Sequence, residues 1–236
     1  MNIIAEWLSS HTLLLLLSAG TFFSFIWLMQ FRDRLNMKWY AALMLAIAHT
    51  LVGVVCVKVF AFMETGFNPD SIGNMSLFGG VFFMPLLYLA GARLTKRSMA
   101  EVCDAFTGCM ILTLMCARVN CILTGCCGGK LIPGSEHLRW PTRETEIVFY
   151  IVLLFILGKH ILQDRTHGTA YPLYMISYGI FRFIVEWFRS ANSPLGYIHM
   201  GHIWALVSLG IGYSIYSEQV KTKTKAMKRV RRRSKW

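Results

Sequence analysis

Seven mostly apolar runs, each close to the roughly twenty residues needed to cross a bilayer as a helix, dominate this chain of 236 residues. They fall at about 11–30, 39–63, 75–94, 99–117, 144–162, 173–190 and 200–217. Lipid offers a backbone no hydrogen-bond partners, so such runs must become helices that satisfy themselves. With 55% hydrophobic and only 15% charged residues, and a mean hydropathy of +0.49, the chain is too apolar for a soluble domain. The expectation is an all-α polytopic membrane protein with seven transmembrane helices. The first run follows almost no positive charge and lacks a small-residue cleavage site, so it is expected to be a retained helix and not a signal peptide.

Lysine and arginine gather on the cytoplasmic side of membrane proteins. An outside N-terminus and a cytoplasmic C-terminus place three groups inside: Arg32, Arg34 and Lys38; Arg93, Lys96 and Arg97; Lys159 and Arg165. The tail, 218–236, joins them; between Lys221 and Lys235 it holds nine of the 24 basic residues and most of the +12 net charge. It is expected to anchor the topology and touch anionic lipid, to be too charge-dense to fold alone, and to need no nucleic acid to explain it. Residues 1–217 then form one membrane domain. Its outer-side loop, 118–143, is rich in glycine and proline turns and long enough to be functional.

Other basic residues have no use in that topology: Arg118, Lys130, Arg139, Arg143 and Arg189 near the outer side, and Arg182 within a run. Tyr178, Arg182 and Glu186 are spaced four apart, on one helix face, with Arg189 about one turn further on. A charge near mid-membrane costs roughly 2.5 kcal/mol or more, so such residues usually line a polar cavity. The planar fork of arginine suits phosphate, which makes an anion the expected ligand. Glu186 alone cannot neutralise these arginines. Beside Phe78, Gly79 and Gly80 either let a substrate approach the backbone or let helices pack closely.

Cys116, Cys121, Cys126 and Cys127 lie within twelve residues. Structural zinc ligands pair at C-x2-C to C-x4-C spacing; adjacent cysteines do not fit, and no metal is expected. A disulfide from Cys121 to Cys126 or Cys127 stays open, while Cys56, Cys103 and Cys109 are expected to act as small apolar residues. Glu101 and Asp104, near Arg93, Lys96 and Arg97, are expected to form ion pairs. No phosphate-binding glycine loop, nucleophile elbow or H-E-x-x-H occurs. Soluble nucleotide and protease chemistry thus has no support, and no cofactor is expected.

Residues 74 to 217 resemble the bacterial prolipoprotein diacylglyceryl transferases. The segment Tyr178 to Arg189 is similar to that family's tyrosine-glycine-x-phenylalanine-arginine-x-x-x-glutamate helix, and Ala117-Arg118 through Gly125 to its arginine signature. Weaker similarities are Met75 to Gly80, Trp140 to Glu146, and Met200-Gly201-His202, in the family's order. The resemblance implies an enzyme of the bacterial plasma membrane with seven spans and a site facing the outer leaflet. It would move the diacylglyceryl group of phosphatidylglycerol to a prolipoprotein cysteine thiol or a related acceptor and release glycerol 1-phosphate. Arg118 and Arg182 would hold the lipid phosphate, Glu186 would orient Arg182, and Tyr178 would bond near the headgroup. Arg143, Arg189, Gly79, Gly80 and Cys121 are further candidates for substrate contact.

The chain also departs from the family. Phe78 stands where the family usually has histidine, Cys121 and Cys126 where it has asparagine and then glutamate, and His202 where it has glutamine. The usual general base therefore does not transfer, leaving His202, Glu186 or a Cys126 thiolate as substitutes. The competing expectation is a non-transferase relative that binds lipid or performs thiol redox chemistry through the clustered cysteines.

Overall fold

A computed structural model describes residues 2–71, 74–163, 166, 168–190 and 198–233. Arg165 and Lys235, assigned above to the inner side, lie outside the described residues. The chain forms α1 (Asn2–Gln30), α2 (Trp39–Glu64), α3 (Phe78–Thr95), α4 (Met99–Leu123), α5 (Thr142–Leu162), α6 (Ala170–Glu186) and α7 (Met200–Arg233). A 3-10 turn at Pro69–Ser71 interrupts the α2–α3 connection. Among the described residues, five helices, α1 to α5, are long and apolar enough to cross a membrane. α6 is shorter, 17 residues, and carries Arg182 and Glu186. α7 runs on into the basic tail.

α4 is the central helix, packed against α1, α2, α3, α5 and α6. Every residue from Val102 to Leu112 is buried, because small residues such as Ala105, Gly108 and Cys109 leave room for neighbours. Trp27 from α1 lies against this stretch and donates its indole N–H to the Ala105 carbonyl at 2.8 Å. The helix starts cleanly at Ser98, whose hydroxyl accepts from the Glu101 amide at 3.3 Å. It also runs past the expected end at 117, since nothing breaks it before Gly125, where φ reaches 70°. Arg118 and Cys121 thus stand on the last turns of α4, and the loop begins at Thr124.

Three of the features singled out above take a structural part. Asp104 is buried and accepts the Ala170 amide at 2.8 Å, the Thr166 hydroxyl at 2.6 Å and the Gly168 amide. It therefore caps the start of α6, where free amides and the helix dipole favour a carboxylate. The tail is one continuous helix with α7 through Arg233; a helix that grows from a packed one meets no nucleation cost. Gly79, finally, is a packing residue: a Cβ there would fall on the Cys56 carbonyl of α2.

The C-terminal ends of α2, α4 and α6 and the N-terminal ends of α3 and α7 meet at one end of the bundle, around a shared cavity. The close α2–α3 contact at Gly79 fixes one wall of it. Gly79→Ala is expected to lower stability by about 1–3 kcal/mol through overpacking, seen as an earlier thermal unfolding midpoint in detergent than for the wild-type protein.

Candidate functional site

The cavity encloses about 590 Å³ and is lined by Arg118, Tyr178, Arg182, Glu186 and Arg189, with Phe78, Cys121, Cys126, Cys127, Glu64 and His199. The residues singled out at four-residue spacing on α6 do share one face, and that face looks into the cavity. Arg118 enters from α4, and Arg189 from the turn after α6, held by its amide bond to the Glu186 carbonyl at 3.3 Å.

The charges are organised by a residue that the sequence reading passed over. Glu146, on the first turns of α5, is 1% exposed. It pairs with Arg118 Nε, with Arg182 Nη1 at 2.8 Å and with Arg189 Nη1 at 3.6 Å. Glu186 takes Arg182 Nη2 at 2.9 Å and Arg189 Nε at 3.7 Å. A signal for Glu146 was present: it is a carboxylate inside an apolar run, the criterion that singled out Arg182, and the arginines needed a second counter-ion. Three guanidiniums thus meet two carboxylates in direct ion pairs, and Glu64 and the Cys127 thiol line the same cavity. The Tyr178 hydroxyl and Arg182 Nε are buried with no hydrogen-bond partner among the described residues. A buried polar group in that condition costs about 1–3 kcal/mol until a ligand or water meets it.

His202 is not in the lining. It is buried, edge-on to Trp187 with ring centres 4.6 Å apart, and its Nδ1 accepts the His199 amide at 3.1 Å. His199 takes the place at the cavity, with Nδ1 3.7 Å from Glu186 Oε1; it precedes the first turn of α7, and no spacing rule pointed to it. Gly201 lets Glu186 approach the positive N-terminal end of α7, since a Cβ there would lie 2.5 Å from the carboxyl carbon. Phe78 packs edge-on to Tyr178 and lies under the Arg182 guanidinium, 5.9 Å from the ring centre. Gly79 and Gly80 lie outside the lining.

Residues 124–141 form a short hairpin, with Trp140 donating to the Lys130 carbonyl at 3.0 Å and Ile132 to Leu138 at 2.9 Å. Lys130 N–H to the Phe188 carbonyl, 2.8 Å, joins it to the segment after α6. Arg143 serves this loop: its Nη1 donates to the carbonyls of Cys121 at 3.2 Å and Cys126 at 3.3 Å, outside the lining. All seven cysteines are free thiols, and the sulfurs of Cys121, Cys126 and Cys127 lie within 4.8 Å of one another. A hydrogen bond with the Cys121 thiol, aided by the charges of Arg189 and Arg118, pushes the Cys127 thiol down to about 4.

A sequence profile described as prolipoprotein diacylglyceryl transferase matches residues 8–217. Proteins named phosphatidylglycerol–prolipoprotein diacylglyceryl transferase are similar to the chain. That of Pasteurella multocida is 32% identical over 155 residues, covering 59% of this chain and 57% of the relative. That of Pseudoalteromonas translucida is 28% identical over 172 residues, covering 66% and 64%. The chain thus spans about three fifths of the length of the relatives it matches.

Two outcomes follow from the geometry. Glu146→Gln leaves buried guanidiniums without their shared counter-ion and is expected to cost about 3–5 kcal/mol, while Glu144→Gln, at a half-exposed carboxylate, should change the unfolding midpoint little. Thiolate is the form that alkylates. Cys127 should therefore react with iodoacetamide at about pH 6, where an unperturbed thiol with a pKa near 8.5 is almost fully protonated, and lose reactivity only as pH falls through about 4. Peptide mass spectrometry after timed labelling reads both rates.

Proposed function

Since the chain belongs to the prolipoprotein diacylglyceryl transferase family, we propose that it moves a diacylglyceryl group from phosphatidylglycerol to a cysteine thiol of a prolipoprotein or related acceptor. The observation that carries this reading is the convergence of three guanidiniums, Arg118, Arg182 and Arg189, each fixed by a buried carboxylate, at the wall of one cavity. A phosphodiester is an anion of the kind that the planar fork of arginine suits. Tyr178 lines the same cavity.

In the proposed reaction the acceptor sulfur attacks the glycerol carbon, the carbon–oxygen bond breaks, and the electron pair leaves with the phosphate. Arg118 and Arg182, already fixed by carboxylates, stabilise the growing charge without reorganising, and they hold the carbon in line for attack. His199, whose Nδ1 lies 3.7 Å from Glu186 Oε1, takes the thiol proton. An apolar cavity of about 730 Å³, lined by Phe60, Phe82, Phe83, Met175 and Trp204, gives an acyl chain a place along the bundle.

Seven spans with the N-terminus outside are the topology that fits this reading. The cavity end then faces the outer leaflet, and Arg32, Arg34, Arg93, Lys96, Arg97 and the tail face the cytoplasm. The protein would be a multi-pass component of the bacterial inner membrane.

Purified protein supplied with phosphatidylglycerol and a lipobox peptide is expected to yield a peptide heavier by one diacylglyceryl group. Arg182→Ala should reduce the yield by about 100-fold or more, whereas Lys130→Ala, outside the cavity lining, should not. In cells lacking their housekeeping transferase, the wild-type chain should restore lipoprotein anchoring and the arginine variant should not. Lipidation unchanged in Arg182→Ala would overturn the assignment.

A further inference from the structure

We infer that Cys121, Cys126 and Cys127 form a binding site for a zinc-class ion whose open coordination position receives the acceptor thiol. Their three sulfurs already lie within 4.8 Å of one another. A tetrahedral ion with metal–sulfur distances of about 2.3 Å sets its sulfurs roughly 3.8 Å apart, so shifts of about an ångström close the site. The adjacency of Cys126 and Cys127 spoke against a metal. Cys127 instead takes a left-handed backbone, φ 57°, after Gly125 at φ 70°, and this brings its sulfur beside its neighbour's. A non-glycine residue in that region costs of order 1 kcal/mol or more. Arg143 secures the turn through the carbonyls on both sides of it.

Access and charge also suit an ion. Cys126 and Cys127 are exposed, and all three cysteines line the cavity. Three thiolates with a divalent ion carry a net negative charge, which Arg118, its Nη1 3.9 Å from the Cys121 sulfur, offsets. Three protein ligands with a fourth position open to a cavity is the pattern of catalytic zinc, whereas structural zinc is closed by four.

The role of the fourth ligand rests on the transferase reading; the ion site itself rests on the sulfur geometry alone. A thiol bound to such an ion gives up its proton at neutral pH. That proton passes to His199, the sulfur–carbon bond forms at the lipid glycerol, and the carbon–oxygen bond breaks with its electron pair on the phosphate monoester. The monoester regains the proton as it leaves, and nothing is oxidised or reduced. The ion thus supplies the thiol activation that Phe78 cannot.

Reduced, chelator-stripped full-length protein in detergent is titrated with Cd²⁺ as an absorbing probe and then with Zn²⁺ in competition. One ion per chain and a thiolate-to-metal absorption band are expected. Cys126→Ser and Cys127→Ser should each weaken Zn²⁺ by about 100-fold or more, Cys127→His should keep it within about tenfold, and Cys116→Ala should leave it unchanged. Stripped protein should lose transfer to the lipobox peptide and regain it with one equivalent of Zn²⁺. No band, or binding that ignores these substitutions, overturns the site, as does a disulfide among these thiols that forms in air and persists with Zn²⁺ present. Equal transfer by stripped and loaded protein overturns the activating role. Tight binding with no transfer in either form, and with phosphatidylglycerol retained equally by the wild type and Arg182→Ala, supports the ion site and overturns the transferase reading.

Discussion

The Glu146 carboxylate is the fixed point of this structure. At 1% exposure it would be costly as a lone charge, by several kcal/mol in a low-dielectric interior. Direct pairs with Arg118, Arg182 and Arg189 offset that cost. Those partners come from α4, α6 and the turn beyond α6, so α5 cannot slide relative to its neighbours without separating buried charges. Stacking of Phe149 on Phe181, 4.0 Å between ring centres, holds the same α5–α6 contact one turn deeper. The cavity wall is therefore held in place by its own ion pairs.

Arg182 shows how these pairs share one side chain. One terminal nitrogen is given to Glu146 and the other to Glu186, while its Nε has no partner among the described residues. Phe78 lies against the same guanidinium. An aromatic face attracts a cation with about 0.5–2 kcal/mol but neither donates nor accepts a proton. The result is a cation fixed at the cavity wall against an aromatic face.

The thiol loop is joined to this cluster through backbone. Its hairpin bonds to the segment carrying Phe188 and Ser190, which places Arg189 beside Cys127 and Glu146 together. Arg118 reaches both Glu146 and Cys121. A change of charge at the sulfurs is thus felt directly by the arginines, and an anion at the arginines by the sulfurs.

Much of this was legible in the residues themselves. Apolar run lengths dictated helices, because lipid forbids unpaired backbone. The four-residue spacing of Tyr178, Arg182 and Glu186 dictated a shared face, because the helical period is fixed. What needed tertiary structure was every relation between distant segments: that Glu146 meets Arg118 and Arg182, that His199 and not His202 lines the cavity, that Gly79 seats α3 on α2. The gathering of the Cys121, Cys126 and Cys127 sulfurs also needed the folded chain, since Cys127 takes a left-handed backbone that the residue order does not announce. Sequence alone determined which groups are too costly to leave in lipid, because transfer energies belong to single residues. Only the folded chain decided which of them neutralise one another, because ion pairing depends on distances that chain order does not encode.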